Sequence, residues 1–332
     1  MGRVLTRPQD PDGFARLIGA MRAYTGERKP QSNAERAAIE AMRAQGVSSD
    51  LVRAMVTRLD ATRASVRTHY LGETTALDFA LPEPIHAAGP TAAPTMVTVP
   101  SLALRDLLHL APIPPHPAPP VYTLRYRGVY CHSETSWDGF SNSDEIYLVT
   151  SAVHIDASGQ NVVRTERMPV GPGDEWYGDV DSGEVRVGPT AACWHGNSDP
   201  VSLTVAVFEY DNGNPDAYKA EIDAAVKAAI AIAAAYYPGV AILEKASGLI
   251  SDAINWLIDT GDDLIQTQTV VNPRSILEWY AGHTVSVYVD HNKSTSLPFH
   301  FITTHHGGGA TYIAGFDVTR EPPLPLPPPV IS

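Results

Sequence analysis

Residues 217–258, AYKAEIDAAVKAAIAIAAAYYPGVAILEKASGLISDAINWLI, are alanine-rich and helix-forming, yet short β-rich runs stand on both sides of them. This order restricts the fold: the chain must leave a strand, make a helical excursion and return to another strand. Pro238 and Gly239 supply a turn or kink and divide the stretch into a helical hairpin. Its alanines and isoleucines, with Trp256 and Leu257, predict that one face packs on the neighbouring sheet. Each arm falls short of the ~20 apolar residues of a bilayer crossing. Glu221, Asp223, Lys227, Glu244, Lys245 and Asp252 also interrupt the arms, so spanning a membrane would be costly.

The flanking runs predict strands over residues 122–130, 146–155, 161–168, 185–188, 201–210, 264–271, 284–289, 299–304 and 311–319, separated by Gly, Asp, Asn and Ser clusters. The fold class expected is mainly β with α: an antiparallel two-sheet β-sandwich over residues 121–320, carrying the hairpin as an insertion at 217–258. Asp179, Asp181 and Glu184 in YGDVDSGEV read as a hairpin turn.

A small helical domain is expected over residues 1–75. Ser32 followed by Glu35 is a capping-box pattern opening NAERAAIEAMRAQG, which stops at Gly46. A second helix starts at Ser48 or Ser49 and runs to about Tyr70, with Leu51, Met55, Leu59 and Val66 near one face. Residues 76–120 follow as a linker or assembly arm, with 11 prolines between 81 and 120 and one short amphipathic candidate, SLALRDLLHL. Residues 321–332 form a second proline-rich stretch, EPPLPLPPPVIS.

Charge narrows the partners. Residues 1–75 carry 12 basic and 8 acidic side chains, which leaves 12 basic and 29 acidic, a net −17, for the rest of the chain. Such a surface suits hard cations and excludes a nucleic-acid partner, which needs a basic face. A protein partner or self-assembly through residues 1–120 is expected, and a membrane surface is the weaker alternative. An extracellular or cell-surface placement is the one favoured; no apolar signal-peptide core follows the basic residues at the N-terminus, so export would use another route or follow removal of a signal. Cys131 and Cys193 form at most one disulfide and have no metal or redox spacing.

The acids cluster at strand ends. Asp138 and Asp144 flank a Gly/Ser/Asn turn; Glu209 stands near the end of the strand VSLTVAVFEY, with Asp211 and Asp216 after it; Asp259, Asp262 and Asp263 precede the next strand after the hairpin. Carboxylates gathered at one sheet edge repel each other unless a cation compensates. Calcium fits best, because it takes roughly 6–8 oxygen ligands in irregular loop geometry, whereas zinc prefers His or Cys. The competing explanation is turn chemistry, since Asp, Asn and Gly favour turns on their own account.

In their order these motifs resemble the C-two (calcium-and-lipid-binding) domain family. SNSDEIYLV matches the family's Ser-Asp-Pro-Tyr entry into a strand, FEYDNGNPD its Asp-x-Asp strand end, and DDLIQTQ its Asp-x-Ile-Gly return, with Glu209 in place of an aspartate and Gln266 in place of the glycine. The resemblance covers roughly residues 121–320 and implies calcium ligands at Asp138 and Asp144 in a first loop and Glu209, Asp211 and Asp263 in a third. Asp216 and Asp262 are auxiliary.

No nucleophile elbow, phosphate loop or His-Glu-x-x-His motif occurs, so no enzyme is expected. Glu134 and Asp138 make only a weak glycosidase pair. His300, His305 and His306 read as glycine-flanked surface histidines. The function expected is a non-enzymatic calcium-binding structural or interaction protein, a component of a larger assembly. The alternative is a secreted effector or pore-forming toxin that uses the hairpin on membranes.

Overall fold

A computed structural model describes residues 7–62, 119–135, 144–170, 176–188, 191–211, 213–237, 241–258, 262–288 and 296–321. Among these the architecture is mixed α/β, with an N-terminal helical part, two antiparallel sheets and six helices. The helices are α1 (Pro11–Tyr24), α2 (Asn33–Ala44), α3 (Ser49–Ala61), α4 (Pro215–Tyr236), α5 (Ala241–Leu257) and α6 (Arg274–Gly282). The strands are β1 (Val121–Ser133), β2 (Asp144–Ile155), β3 (Asn161–Met168), β4 (Tyr177–Val180), β5 (Val185–Val187), β6 (Ala192–Gly196), β7 (Val201–Glu209), β8 (Asp263–Asn272), β9 (Val285–Tyr288), β10 (Ser296–Phe299), β11 (Phe301–Gly307) and β12 (Ala310–Glu321).

One sheet runs β11-β12-β1-β5, with β6 also on β1; the other runs β3-β2-β7-β8, with β4 also on β2; β9 and β10 form a separate hairpin. The two large sheets enclose a core built from Leu124, Tyr126, Leu148, Val205, Val207 and Phe316 among others. Alternation along β2 and β7 sends the opposite side chains, Tyr147, Val149, Ala206 and Phe208, into a second core against helices. The central sheet is therefore covered on both faces, which is why all nine residues of β7 are buried.

The second core contains Leu17, Met21, Met42 and Met55 from the N-terminal helices together with Ala225, Ile230, Leu249 and Ile254 from α4 and α5. The described helices before residue 75 thus share a core with the helices between β7 and β8. Alanine makes this contact feasible: Ala225, Ala228, Ala229 and Ala233 are fully buried on α4, and small side chains let α2, α5 and β3 approach its backbone. A partly buried ion pair, Arg58 to Glu221 at 2.8 Å, ties α3 to α4.

Several sequence expectations are modified. Ser32 caps α2 as expected, its hydroxyl accepting from Glu35 N at 3.0 Å, but the Glu35 carboxylate accepts from Gln31 N rather than closing the box on Ser32. The YGDVDSGEV turn closes with Glu184 N donating to Asp181 O at 3.0 Å, yet its strands do not pair with each other. β4 joins β2 and β5 joins β1, so the turn carries the chain from one sheet to the other. The expected strand 299–304 lies in two strands, β10 and β11, broken at His300. β4, β6 and α6 were not anticipated. The turn at Pro238 and Gly239, the helix beyond residue 62, the arm at 76–118 and the tail at 322–332 lie outside the described residues.

Candidate functional site

Antiparallel register gathers the acids that bound the strands. Ile146 of β2 and Asp263 of β8 both lie opposite Glu209, the last residue of β7, and Asp144 begins β2 two residues before Ile146. Asp144, Glu209 and Asp263 therefore share one end and one face of the central sheet, the face turned toward the other sheet. The two helices between β7 and β8 do not separate Glu209 from Asp263, because their flanking strands are ladder neighbours.

Asp144 and Glu209 are almost fully buried, at 3% and 2% exposure. Thr135, just past β1, joins them. Its hydroxyl lies 2.8 Å from Asp144 Oδ1 and 3.0 Å from Glu209 Oε1, while its backbone N–H donates to Asp144 Oδ2 at 2.8 Å. The Tyr312 hydroxyl also donates to Asp144 Oδ2. Burial, followed by this bond to a carboxylate, holds the Tyr312 phenol well above its usual range, so it remains a donor. A threonine hydroxyl carries one proton, and here two carboxylate oxygens stand within reach of it.

The adjacent acids face elsewhere. Asp262, 1% exposed, lies on the helix side of the sheet and accepts from Tyr147 Oη at 3.0 Å, Asp211 N at 3.1 Å and Gly213 N at 2.6 Å. It pins the loop that leads into α4. Glycine is required at 213, where a Cβ would sit 2.5 Å from both Asp262 oxygens and from the Tyr218 hydroxyl. Asp211 is exposed and meets Asp262 through its backbone. Asp216, in the first turn of α4, forms an ion pair with Arg167 at 3.1 Å and its side chain is 75% exposed. Asp138 and Asp259 lie outside the described residues.

The seven expected ligands thus divide. Asp144 and Glu209 meet at the Thr135 hydroxyl with Asp263 opposite Glu209 in the ladder, Asp211 and Asp262 form a separate loop anchor, Asp216 is part of a surface ion pair, and Asp138 lies outside the described residues. Among the described residues, no group of three or more His, Cys, Asp or Glu side chains is arranged to hold a metal ion. Thr135 and Tyr312 were missed from sequence: Thr135 lies between Glu134 and Asp138, where the acids alone were read as site residues, and Tyr312 has no acid beside it. Only the β1–β12 pairing, which sets Cys131 opposite Tyr312, brings these two segments together.

The surface reading of the histidines holds for His306 but fails for His305, which is fully buried. Its Nδ1 lies 3.2 Å from the Gln266 carbonyl, which can only accept, so Nδ1–H donates; Nε2 then accepts from the Thr303 hydroxyl at 2.8 Å. Burial pushes its pKa down to about 4. It helps seal the edge where β8 meets β11, beside Gln268 Nε2 donating to Thr304 O at 2.6 Å. Cys131 and Cys193 are both free, buried thiols, pushed up by burial to about 12 and about 11. In comparisons with protein-family models, with curated proteins and with solved structures, nothing matches this chain.

Proposed function

We propose that the protein is a non-enzymatic structural or interaction module: a C-two-like sandwich with a helical hairpin inserted between β7 and β8, whose acid-rich end takes calcium. The observation that carries this reading is the placement of Asp144 and Glu209 about one threonine hydroxyl, with Asp263 in register beside them. A hard cation there would take carboxylate oxygens as ligands, the donor type calcium prefers. Asp144, Glu209 and Asp263 are the donors proposed among the described residues; Asp138 lies outside them.

Calcium in this role rigidifies the loop end of the sandwich and stabilises by mass action. Residues 76–120 are proposed as the arm that attaches the module to a protein partner or to further copies. The rival reading, a hairpin released onto membranes, gains no support from the packing: α4 and α5 supply the middle of a core shared with α1–α3 and the central sheet. Among the described residues, no helix is long and apolar enough to cross a membrane.

The test is thermal melting with calcium, with magnesium and with a chelator, on the full chain and on Asp144→Asn and Asp263→Asn variants. A calcium-specific rise in Tm that both variants lose is the expected result. A melting curve that calcium and chelator leave superimposed removes the cation from the proposal.

A further inference from the structure

We propose that the outward face of α6 is a docking shelf for a proline-rich segment, and that its occupant is residues 322–332 of this same chain. α6 turns Leu277, Tyr280 and Ala281 into the core between the sheets, with Tyr280 stacked on Phe301 at 5.0 Å. Ile276 and Trp279, one turn apart, point the other way, at 39% and 47% exposure. They are two of the four large hydrophobic residues exposed among the described residues, so the shelf is a local concentration of apolar surface rather than ordinary scatter.

The indole is also held in place. Its ring stacks on His283, with centroids 4.5 Å apart and planes 15° from parallel. His283 Nδ1 lies 2.7 Å from the Trp279 carbonyl, an acceptor only, so Nδ1–H donates and the imidazole is locked over the helix end. A fixed aromatic plane loses little entropy when a ligand packs against it. Flat aromatic surfaces of this kind suit the rigid rings of a polyproline helix, whose own ordering is largely prepaid by proline.

The place where β12 ends identifies the occupant. Arg320 Nε pairs with Glu278 Oε2 at 3.0 Å, and Tyr122, the ladder partner of Arg320, donates its hydroxyl to the same carboxylate. Glu278 immediately precedes Trp279, so the chain leaves the sheet at Glu321 beside the shelf. The next residues are PPLPLPPPVIS, six of them proline. α6 is ~13.5 Å long at ~1.5 Å per residue. A polyproline helix advances ~3.1 Å per residue, so about five residues would span the shelf. Leu324 and Leu326 provide aliphatic side chains for Ile276 between the prolines.

Trp279 is its own reporter. Acrylamide quenching of tryptophan fluorescence would be compared between the full chain and a chain ended at Glu321, each with and without Trp279→Phe, after circular dichroism melts establish that all four fold. Truncation is expected to raise quenching, a synthetic 322–332 peptide to lower it again, and both effects to vanish with Trp279→Phe. Equal quenching of the full and truncated chains overturns the proposal, as does a truncation effect that survives Trp279→Phe. Sedimentation decides the source of the segment: a full chain that is monomeric supports docking within one chain, and a dimer that falls to monomer on truncation refutes it.

Discussion

Asp252 offers the sharpest test of how the N-terminal segment is held. It sits in α5 at 2% exposure, and its carboxylate accepts from Gln9 N at 3.0 and 3.1 Å and from Asp10 N at 3.4 Å. Gln9 and Asp10 directly precede α1, and Asp10 caps that helix by accepting from Gly13 N at 2.9 Å. Burial raises the Asp252 pKa from 3.8 to about 6; the two backbone donors oppose this only in part, and the Asp10 carboxylate adds to it. A folded-state pKa above the unfolded value means that the folded chain binds the extra proton between those limits. The resulting stability is fully present below about pH 3.8 and is lost as pH rises through about 6. A gap of about two pH units corresponds to about 3 kcal/mol at ~1.4 kcal/mol per unit.

Asp252→Asn keeps an oxygen for Gln9 N and removes the titration. The difference in unfolding free energy, variant minus wild type, is therefore expected to rise by about 3 kcal/mol between pH 3 and pH 7. Because every other titrating group appears in both proteins, subtraction cancels it to the extent that distant sites are independent. Urea unfolding followed by circular dichroism at half-unit steps of pH gives the curve directly. A difference that stays flat across this range would refute the claim that burial, rather than the α1 backbone donors, governs the carboxylate.

His305 predicts the opposite sign. With its pKa lowered from 6.5 to about 4, its contribution is complete above about pH 6.5 and is lost as pH falls through about 4. Its ring proton resonances should remain those of the neutral imidazole down to about pH 4.5, and a midpoint near 6.5 would exclude the buried placement. Thr135→Val leaves Asp144 and Glu209 without the hydroxyl between them and should cost about 2–3 kcal/mol, with Thr135→Ser recovering most of it in denaturant titrations. Equal stability of the Val variant would show that the hydroxyl is unimportant. Gly213→Ala should cost about 1–3 kcal/mol, because its Cβ collides with Asp262 and disrupts the loop anchor. Cys131 and Cys193 should resist thiol reagents until the chain unfolds, and rapid labelling of native protein would contradict their burial.

The fold and the candidate site were legible in different degrees, for physical reasons that particular residues display. The runs at 161–168 and 201–210 were readable because β-branched and aromatic residues accumulate between turn clusters, and β3 and β7 fall there within a residue. β4 and β6 were not, because YGDV and ACWHG are short and take their strand geometry from pairing with β2 and β1. α6 escaped because a nine-residue helix with Pro273 at its N-cap and no side-chain cap hydrogen bond offers little local pattern.

The acids show the same division at higher resolution. That strand ends on either side of 217–258 carry carboxylates is a sequence fact, and ladder register then brings Glu209 opposite Asp263. Which face each acid takes is not a sequence fact. Asp262 and Asp263 are adjacent, so the period-two alternation of a strand must place them on opposite faces. Which of the two faces the other sheet depends on the register shift between Val207 and Phe208, where β8 inserts an unpaired residue opposite β7. Without that bulge, Asp263 would turn to the helices and Asp262 toward Asp144 and Glu209. One irregularity in one ladder thus selects which aspartate joins the buried pair and which anchors the α4 loop, and nothing in DTGDDLIQTQTV announces it.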